Sequence, residues 1–274
     1  MIRISKITVQ KKMKQRYNVY VDEKGTDRYS FSVDEDTLIK FGMRKGLELN
    51  EDEIKEIVDA DEAKKTQHLA IHYLSFRMRS EKEMIDYLEK KERQPEHIKQ
   101  AITFLKRERL VDDFAFAGAF IRTKINQSQI GPSKLKQQLK QKGILDQIID
   151  ESLLPYDLDW QKIEVKRWLE KLERRKVESK ESQQQQRNKQ INQLLSKGFD
   201  YEAIVSVLNN HVEEDADQEI KALQFQAEKM VRTYSKKYSG YELKQRLTQA
   251  LARKGFSFSD ITSVVDELLQ GDDI

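Results

Sequence analysis

Two periodicities divide this chain. At the start, Ile2, Ile4, Ile7 and Val9 are apolar in partial alternation, Tyr17–Val21 is a β-branched and aromatic run, and Tyr29–Val33 alternates strictly. Asp22-Glu23-Lys24-Gly25 between them is turn chemistry. This pattern predicts a small antiparallel sheet of two or three strands that must pack on neighbouring helices to be stable. Asp34 or Asp36 can cap a short helix through Phe41, Leu47-Glu48-Leu49 reads as a short extended piece, and Asn50 opens an acidic helical turn.

From about residue 60 the apolar positions recur every three to four residues, which predicts helices to the end of the chain. They fall near 61–76, 80–91 and 95–108; from Asp112 or Asp113 to 125, 131–142 and 144–154; 157–178, 184–197 and 200–210; and 215–237, 240–254 and 258–269. Ser80-x-x-Glu83 and Ser239-x-x-Glu242 read as capping boxes, and Pro95 and Pro132 suit first helical turns. The glutamine run 183–186 reads as a solvated helix end or loop, with a flexible joint as the sharper alternative.

A phrase recurs within this helical part. Leu139-Lys140-Gln141-Lys142-Gly143 returns as Leu194-Leu195-Ser196-Lys197-Gly198 and as Leu251-Ala252-Arg253-Lys254-Gly255. A worn copy, Leu88-Glu89-Lys90-Lys91-Glu92, precedes them, so the lysines are 51, 55 and 57 residues apart. Each copy closes a middle helix and leads into a short apolar one. The phrase therefore counts four three-helix modules. Its glycine reads as a helix stop and its lysine as a partner for the helix dipole. The expected fold is mainly α: tandem three-helix repeats in an elongated, curved array, with a small N-terminal antiparallel β-hairpin or sheet. The expected segments are 1–60 (β-rich with short helices), then repeats at 61–110, 111–155, 156–211 and 212–274. Each module is just large enough for its own core, so neighbours are expected to touch lightly and hinge.

Composition agrees. The chain has 274 residues, 35% charged and 38% hydrophobic, with 10 Gly and 3 Pro, which favours helix and thin packing over a thick globule. The absence of cysteine excludes disulfides, thiolate metal sites and a Cys nucleophile. No apolar run approaches a membrane span and no signal core opens the chain, so the expectation is a soluble, cytoplasmic protein without membrane contact. Net charge is +3, but residues 61–150 carry a net +5 against −2 for 151–274. That middle excess permits phosphate binding and falls short of a DNA-coating protein.

Candidate chemistry is sparse. His68 and His72 share a helix face, yet no third ligand completes a zinc site, and His97 and His211 are isolated. Glu51-Asp52-Glu53 and Glu213-Glu214-Asp215 look like helix starts. Asp112-Asp113 reads as capping, with a partner contact as the alternative. There is no Gly-rich phosphate loop and no nucleophile motif, so no catalytic residue, metal or cofactor is assigned. Phe114, Phe116, Phe120 and Ile121 make an apolar helix read as core. Tyr234, Tyr238 and Tyr241 could stack on bases, but interface packing reads better. The basic residues of the first two repeats remain: Arg77, Arg79, Lys106, Arg107, Arg109, Arg122, Lys124, Lys134, Lys136, Lys140 and Lys142. A solvated face is the default for them, and a phosphate or acidic-protein contact is the alternative. Arg174-Arg175-Lys176 sits among glutamates and reads as solvated.

The chain resembles the RecX family of recombinase regulators. The resemblance rests on Ala70-x3-Leu74-x2-Arg77-x2-Ser80-x3-Met84-x3-Leu88, on Leu110-Val111-Asp112-Asp113-Phe114-x-Phe116-Ala117, and on Gly131-Pro132-x2-Leu135-x3-Leu139-x2-Lys142-Gly143-Ile144. The N-terminal strands, with Asp34-x-Asp36-Thr37-Leu38 and Gly42-Met43-Arg44-Lys45-Gly46, are similar to the leader of Gram-positive members. Glu92, where the repeat prefers Gly, departs from the pattern. The resemblance implies a cytoplasmic, non-enzymatic modulator of the RecA recombinase filament on single-stranded DNA. It implies binding along the filament groove that lowers ATP hydrolysis and strand exchange or blocks filament extension. A helical-repeat protein binding DNA directly is the second reading, and a helical scaffold for another protein the third. A monomer is expected, because no coiled-coil seam appears.

Overall fold

The computed structural model describes residues 1–11, 14–174, 179–210 and 216–270. His211, the Glu213-Glu214-Asp215 cluster, Arg175-Lys176 and Glu178 lie outside the described residues. Among the described residues there are four strands and thirteen helices.

β1 (Ile2–Val9), β2 (Arg16–Glu23), β3 (Thr26–Asp34) and β4 (Glu48–Leu49) form one antiparallel sheet in the order β3-β2-β1-β4. The expectation of two or three strands is one short, because Leu49 pairs with Ile2 at the free edge of β1. One face of the sheet buries Ile4, Val19, Phe31 and Val33 with Met43, Leu49 and Ile57. Asp34 caps α1 (Glu35–Lys40) by accepting from the Thr37 N–H.

Ile57 belongs to α2 (Glu51–Leu74), one helix of 24 residues where the sequence pattern suggests a break near 60. Asn50 and Glu53 form a full capping box at its start, and no breaker interrupts Val58–Ala63. Asp61, 1% exposed, lies at the middle of α2 and accepts from the Arg16 guanidinium at 2.7 Å, the Asp34 N–H at 2.9 Å and Lys65 at 3.0 Å. A buried carboxylate is tolerated only with partners of this kind. It clasps β2 and β3 to α2, a role the polar pattern of the helix does not reveal.

Three-helix modules follow. α2 continues into the first with α3 (Glu81–Lys90) and α4 (Pro95–Arg107), around Ala70, Met84, Leu88, Ile98, Ile102 and Leu105. The buried His97 places Nε2 3.0 Å from Asp59, tying α4 to α2. The second module is α5 (Asp113–Gln127), α6 (Pro132–Gln141) and α7 (Asp146–Leu153). Phe116, Ala117 and Ile121 of α5 are buried as expected for core, but Phe114 is half exposed. The third is α8 (Leu158–Glu173), α9 (Gln183–Ser196) and α10 (Tyr201–Asn209), and the fourth is α11 (Ala216–Tyr234), α12 (Gly240–Arg253) and α13 (Phe258–Gln270). Their cores centre on Val165, Leu169, Leu194 and Ile204 and on Leu223, Leu247, Leu251 and Ile261.

The glutamine run is the first turn of α9, in keeping with its reading as a helix end. Ser182 caps it by accepting from the Gln185 N–H. Ser239 makes no such bond, so the second capping box read from sequence does not form. At Ser80 only half the box forms: its hydroxyl accepts from the Glu83 N–H, while the Glu83 carboxylate turns elsewhere. The chain divides into two compact units, residues 1–118 with 140–148, and residues 119–139 with 149–274.

Candidate functional site

The Lys-Gly phrase has a second use beyond stopping a helix. Within the first unit, the Ser80 hydroxyl, just before α3, donates to the carbonyl of Lys142 at 2.8 Å. Gly143 follows with φ +79, and a β-carbon there would lie 2.5 Å from Lys82 Cβ. The Glu81 N–H donates to Asp113 at 2.8 Å. So the C-terminal turn of one middle helix seats on the N-terminal turn of the middle helix before it.

The second unit repeats the arrangement twice. The Ser182 hydroxyl, just before α9, donates to the Lys254 carbonyl. Gly255, with φ +87, would bring a β-carbon 2.8 Å from Gln184 Cβ, and the Gln183 N–H donates to Glu219 at 2.8 Å. At α6 the hydroxyl is replaced by backbone. The Gly131 N–H donates to the Lys197 carbonyl at 2.9 Å and the Ser133 N–H to Gly198 O at 3.1 Å. There a β-carbon on Gly131 would fall 2.2 Å from Gly198 O, and one on Gly198 2.5 Å from Lys134 Cβ. Real β-carbons do not approach so closely, so glycine answers to close approach at all four positions and also to positive φ at Gly143, Gly198 and Gly255. Hydrogen-bonded junctions of this kind replace the light, hinging contact expected from module size.

Helix ends explain the choice of groups. The first N–H groups of a helix and its last carbonyls lack partners within it, and carry opposite partial charge. The α6 junction matches them directly, while the two serine junctions relay N–H to carbonyl through the hydroxyl and add a carboxylate. Burial pushes the Asp113 and Glu219 carboxyls upward, with nearby Glu81 and Asp260 contributing. Asp112 does the capping read from sequence, accepting from the Phe114 and Ala115 N–H groups, while Asp113 makes the junction contact.

The junctions also absorb several of the candidate cations. In the first unit Glu83 receives Arg77 through two bonds, 3.0 and 3.1 Å, and Lys142 at 2.5 Å. Burial alone would raise the Glu83 carboxyl; the bonds from Arg77 and Lys142 outweigh it and hold it at about 2. Lys106 pairs with Glu81 at 2.8 Å, Lys140 with Asp146 at 2.7 Å and Arg107 with Glu108 at 3.0 Å. Arg79 lies 4.0 Å over the ring of Tyr73, which stacks on Tyr87. Arg109 is exposed, at φ +56, and has no ion pair among the described residues.

In the second unit Lys134 donates to the Ser196 carbonyl at 2.9 Å, and Lys136 pairs with Asp150 at 2.6 Å. Lys124 sits 5.5 Å from the Phe120 ring centre, and Arg122 is exposed without an ion pair among the described residues. The structure thus gathers Arg77, Lys106 and Lys142 on the acidic first turn of α3 and gives carboxylates to Arg107, Lys136 and Lys140. Among the described residues Arg79, Arg109, Arg122, Lys124 and Lys134 have no carboxylate partner.

Among the described residues no group of three His, Cys, Asp or Glu could hold a metal, and no helix is long and apolar enough to cross a membrane.

Known proteins match this arrangement along the chain. The model of the regulatory protein RecX N-terminal domain matches residues 2–50, and those of the first, second and third RecX three-helix domains match 68–105, 112–153 and 217–265. The regulatory protein RecX of Oceanobacillus iheyensis is 44% identical, over 98% of this chain and 99% of its own length. The chain belongs to the RecX family of regulatory proteins. The RecX of Halalkalibacterium halodurans is 41% identical over 96% of the chain and 99% of its own length, and that of Bacillus subtilis 38% over 97% of both. A crystal structure of regulatory protein RecX aligns over 97% of this chain and 100% of its own, with a TM-score of 0.51 at 27% identity. That of RecX from Lactobacillus salivarius covers 55% of this chain and 97% of its own, also at 0.51, at 32% identity. The four RecX domain spans leave α8–α10 outside them, yet that stretch carries the same junction at both its ends.

Proposed function

We propose that this protein is a non-enzymatic, cytoplasmic regulator of homologous recombination and DNA repair. It acts as a monomer that binds the RecA filament on single-stranded DNA and inhibits its ATP hydrolysis, strand exchange or growth. Membership of the RecX family carries the reading. The repeated junction supports it: modules set in order by specific contacts present successive surfaces on one chain, and several weak contacts then add through effective concentration. The segments 1–60, 61–110, 111–155, 156–211 and 212–274 are the proposed working parts.

Of the eleven candidate cations, we assign the partner contact first to Arg109, Arg122 and Lys124. Among the described residues they have no carboxylate partner, so they can neutralise an incoming phosphate or acidic side chain without breaking such a pair. Arg77, Lys106, Lys134 and Lys142 serve the fold first.

The test is RecA-driven ATP hydrolysis on single-stranded DNA, titrated with the protein. Inhibition at substoichiometric levels is expected, weakened by Arg122→Glu and Lys124→Glu and little changed by Lys136→Glu. Direct DNA binding, with a modestly basic middle as its support, is the second reading. It predicts salt-steep binding to naked DNA, and fails if filaments are bound while naked DNA is ignored at low salt.

A further inference from the structure

The three junctions share a rule that also describes the chain's two unused ends. In the serine type, a Ser precedes the middle helix and the residue two positions later packs against a glycine. That pair is Ser80 with Lys82 on Gly143, and Ser182 with Gln184 on Gly255. In the fourth module the same two positions are Ser239 and Tyr241, and Ser239 stands 16 residues before Gly255, as Ser182 stands 16 before Gly198. Among the described residues no Lys-Gly turn sits there. Ser239 makes no cap bond, nothing lies within 4 Å of a β-carbon placed on Gly240, and Tyr241 is 82% exposed. A large aromatic thus stands exposed at the position that packs on glycine in the two serine junctions.

The opposite end carries the matching half. α3 finishes in the worn copy, Lys90-Lys91-Glu92, all three exposed. Glu92 adopts φ +55 and its N–H donates to Glu89 O at 2.8 Å, the left-handed stop that Gly143, Gly198 and Gly255 make at +79 to +90. The backbone makes the same left-handed stop at a smaller φ, with a side chain where the junctions have none. At the three used junctions a β-carbon on the glycine would fall 2.5–2.8 Å from the facing residue. Glu92 has that β-carbon and a charge beyond it.

We propose that the first turn of α12 and the last turn of α3 are complementary junction halves. The β-carbon of Glu92, rather than its charge, is what prevents a second copy of this chain from docking its first module on α12. Such a contact is head-to-tail, so with glycine in place it would build rings or open chains of copies. This proposal goes beyond the recombination reading and does not depend on it.

Sedimentation equilibrium of the full chain over a wide concentration range tests it. Glu92→Gly should self-associate about tenfold or more tightly than the parent, with species at the dimer mass and above. Glu92→Ala removes the charge but keeps the β-carbon and should stay with the parent. Glu92→Gly combined with Tyr241→Glu, which sets a negative charge against the incoming helix carbonyls, should return to the parent behaviour. Circular dichroism melts establish that each variant is folded, which glycine at a positive φ favours. The proposal is overturned if Glu92→Gly sediments like the parent. It is equally overturned if Glu92→Ala associates as strongly, since charge would then be the cause, or if Tyr241→Glu leaves the association intact.

Discussion

The Ser80 hydroxyl donates to the Lys142 carbonyl across 62 residues of sequence while accepting from the Glu83 N–H. One side chain therefore caps the helix it precedes and holds the end of the next module's middle helix. Ser80→Ala leaves a carbonyl and an N–H short of partners, and should cost about 1–2 kcal/mol. Urea unfolding of the full chain measures it. Ser80→Thr, which keeps the hydroxyl, should recover part of the loss.

The junction glycines differ in what they face, and their alanine variants should rank accordingly. At Gly198 the obstruction includes the Lys134 backbone nitrogen at 2.5 Å, which cannot swing aside; at Gly255 it is the Gln184 side chain at 2.8 Å and beyond. Of these two, Gly198→Ala should therefore destabilise more, by about 2–4 kcal/mol from the left-handed φ and the overlap together. Gly255→Ala should cost less. Gly240→Ala has the positive φ and no overlap, so it separates the two causes. Hydrogen exchange at the Ser133 and Gly131 amides, which bond to Gly198 and Lys197, should accelerate in Gly198→Ala.

The first junction should weaken in acid through Glu83. Its carboxyl is held at about 2 in the fold against an ordinary value of 4.5. A lowered folded-state value means stability that is fully present above about 4.5 and is lost as pH falls towards 2. Arg77 is half exposed, so solvent screening limits the contribution to about 1–2 kcal/mol. Asp113 acts in the opposite sense: burial raises its carboxyl, so its ionisation opposes folding as pH rises through its folded value. Glu83→Gln should flatten the acid limb of a stability profile recorded between pH 2 and 6.

Asp61→Asn should loosen the N-terminal sheet from α2. The substitution keeps the shape but leaves Arg16, 14% exposed, beside a neutral group. A loss of about 3 kcal/mol is expected, since removing one partner strands a nearly buried charge. The methyl resonances of Val19 and Val33 in the sheet core should report it first.

The helical period, the module count and the stop at each Lys-Gly phrase could be read in the sequence because they are local. Helix stops depend on the few residues around Gly143, Gly198 and Gly255. What those glycines press against could not be read, because Lys82, Lys134 and Gln184 lie roughly 60 to 70 positions away and share no motif with them. The same limit affects the candidate cations. Arg77, Lys106 and Lys142 count towards a basic middle segment, but the fold brings them to Glu81 and Glu83. Asp61 and His97 gave no signal: each is one polar residue in a polar helix, and only burial distinguishes it. Glu92 was visible as a departure from the repeat. Its sense emerges from the structure, where no earlier Lys-Gly junction demands a glycine at that turn.

Co-sedimentation with RecA filaments on single-stranded DNA tests the central claim most directly. The intact chain should pellet with filaments at moderate salt and stay in solution with DNA alone, and Arg122→Glu with Lys124→Glu should reduce the pelleted fraction severalfold. A chain that stays in solution at every filament concentration, or pellets equally with bare DNA, contradicts the account.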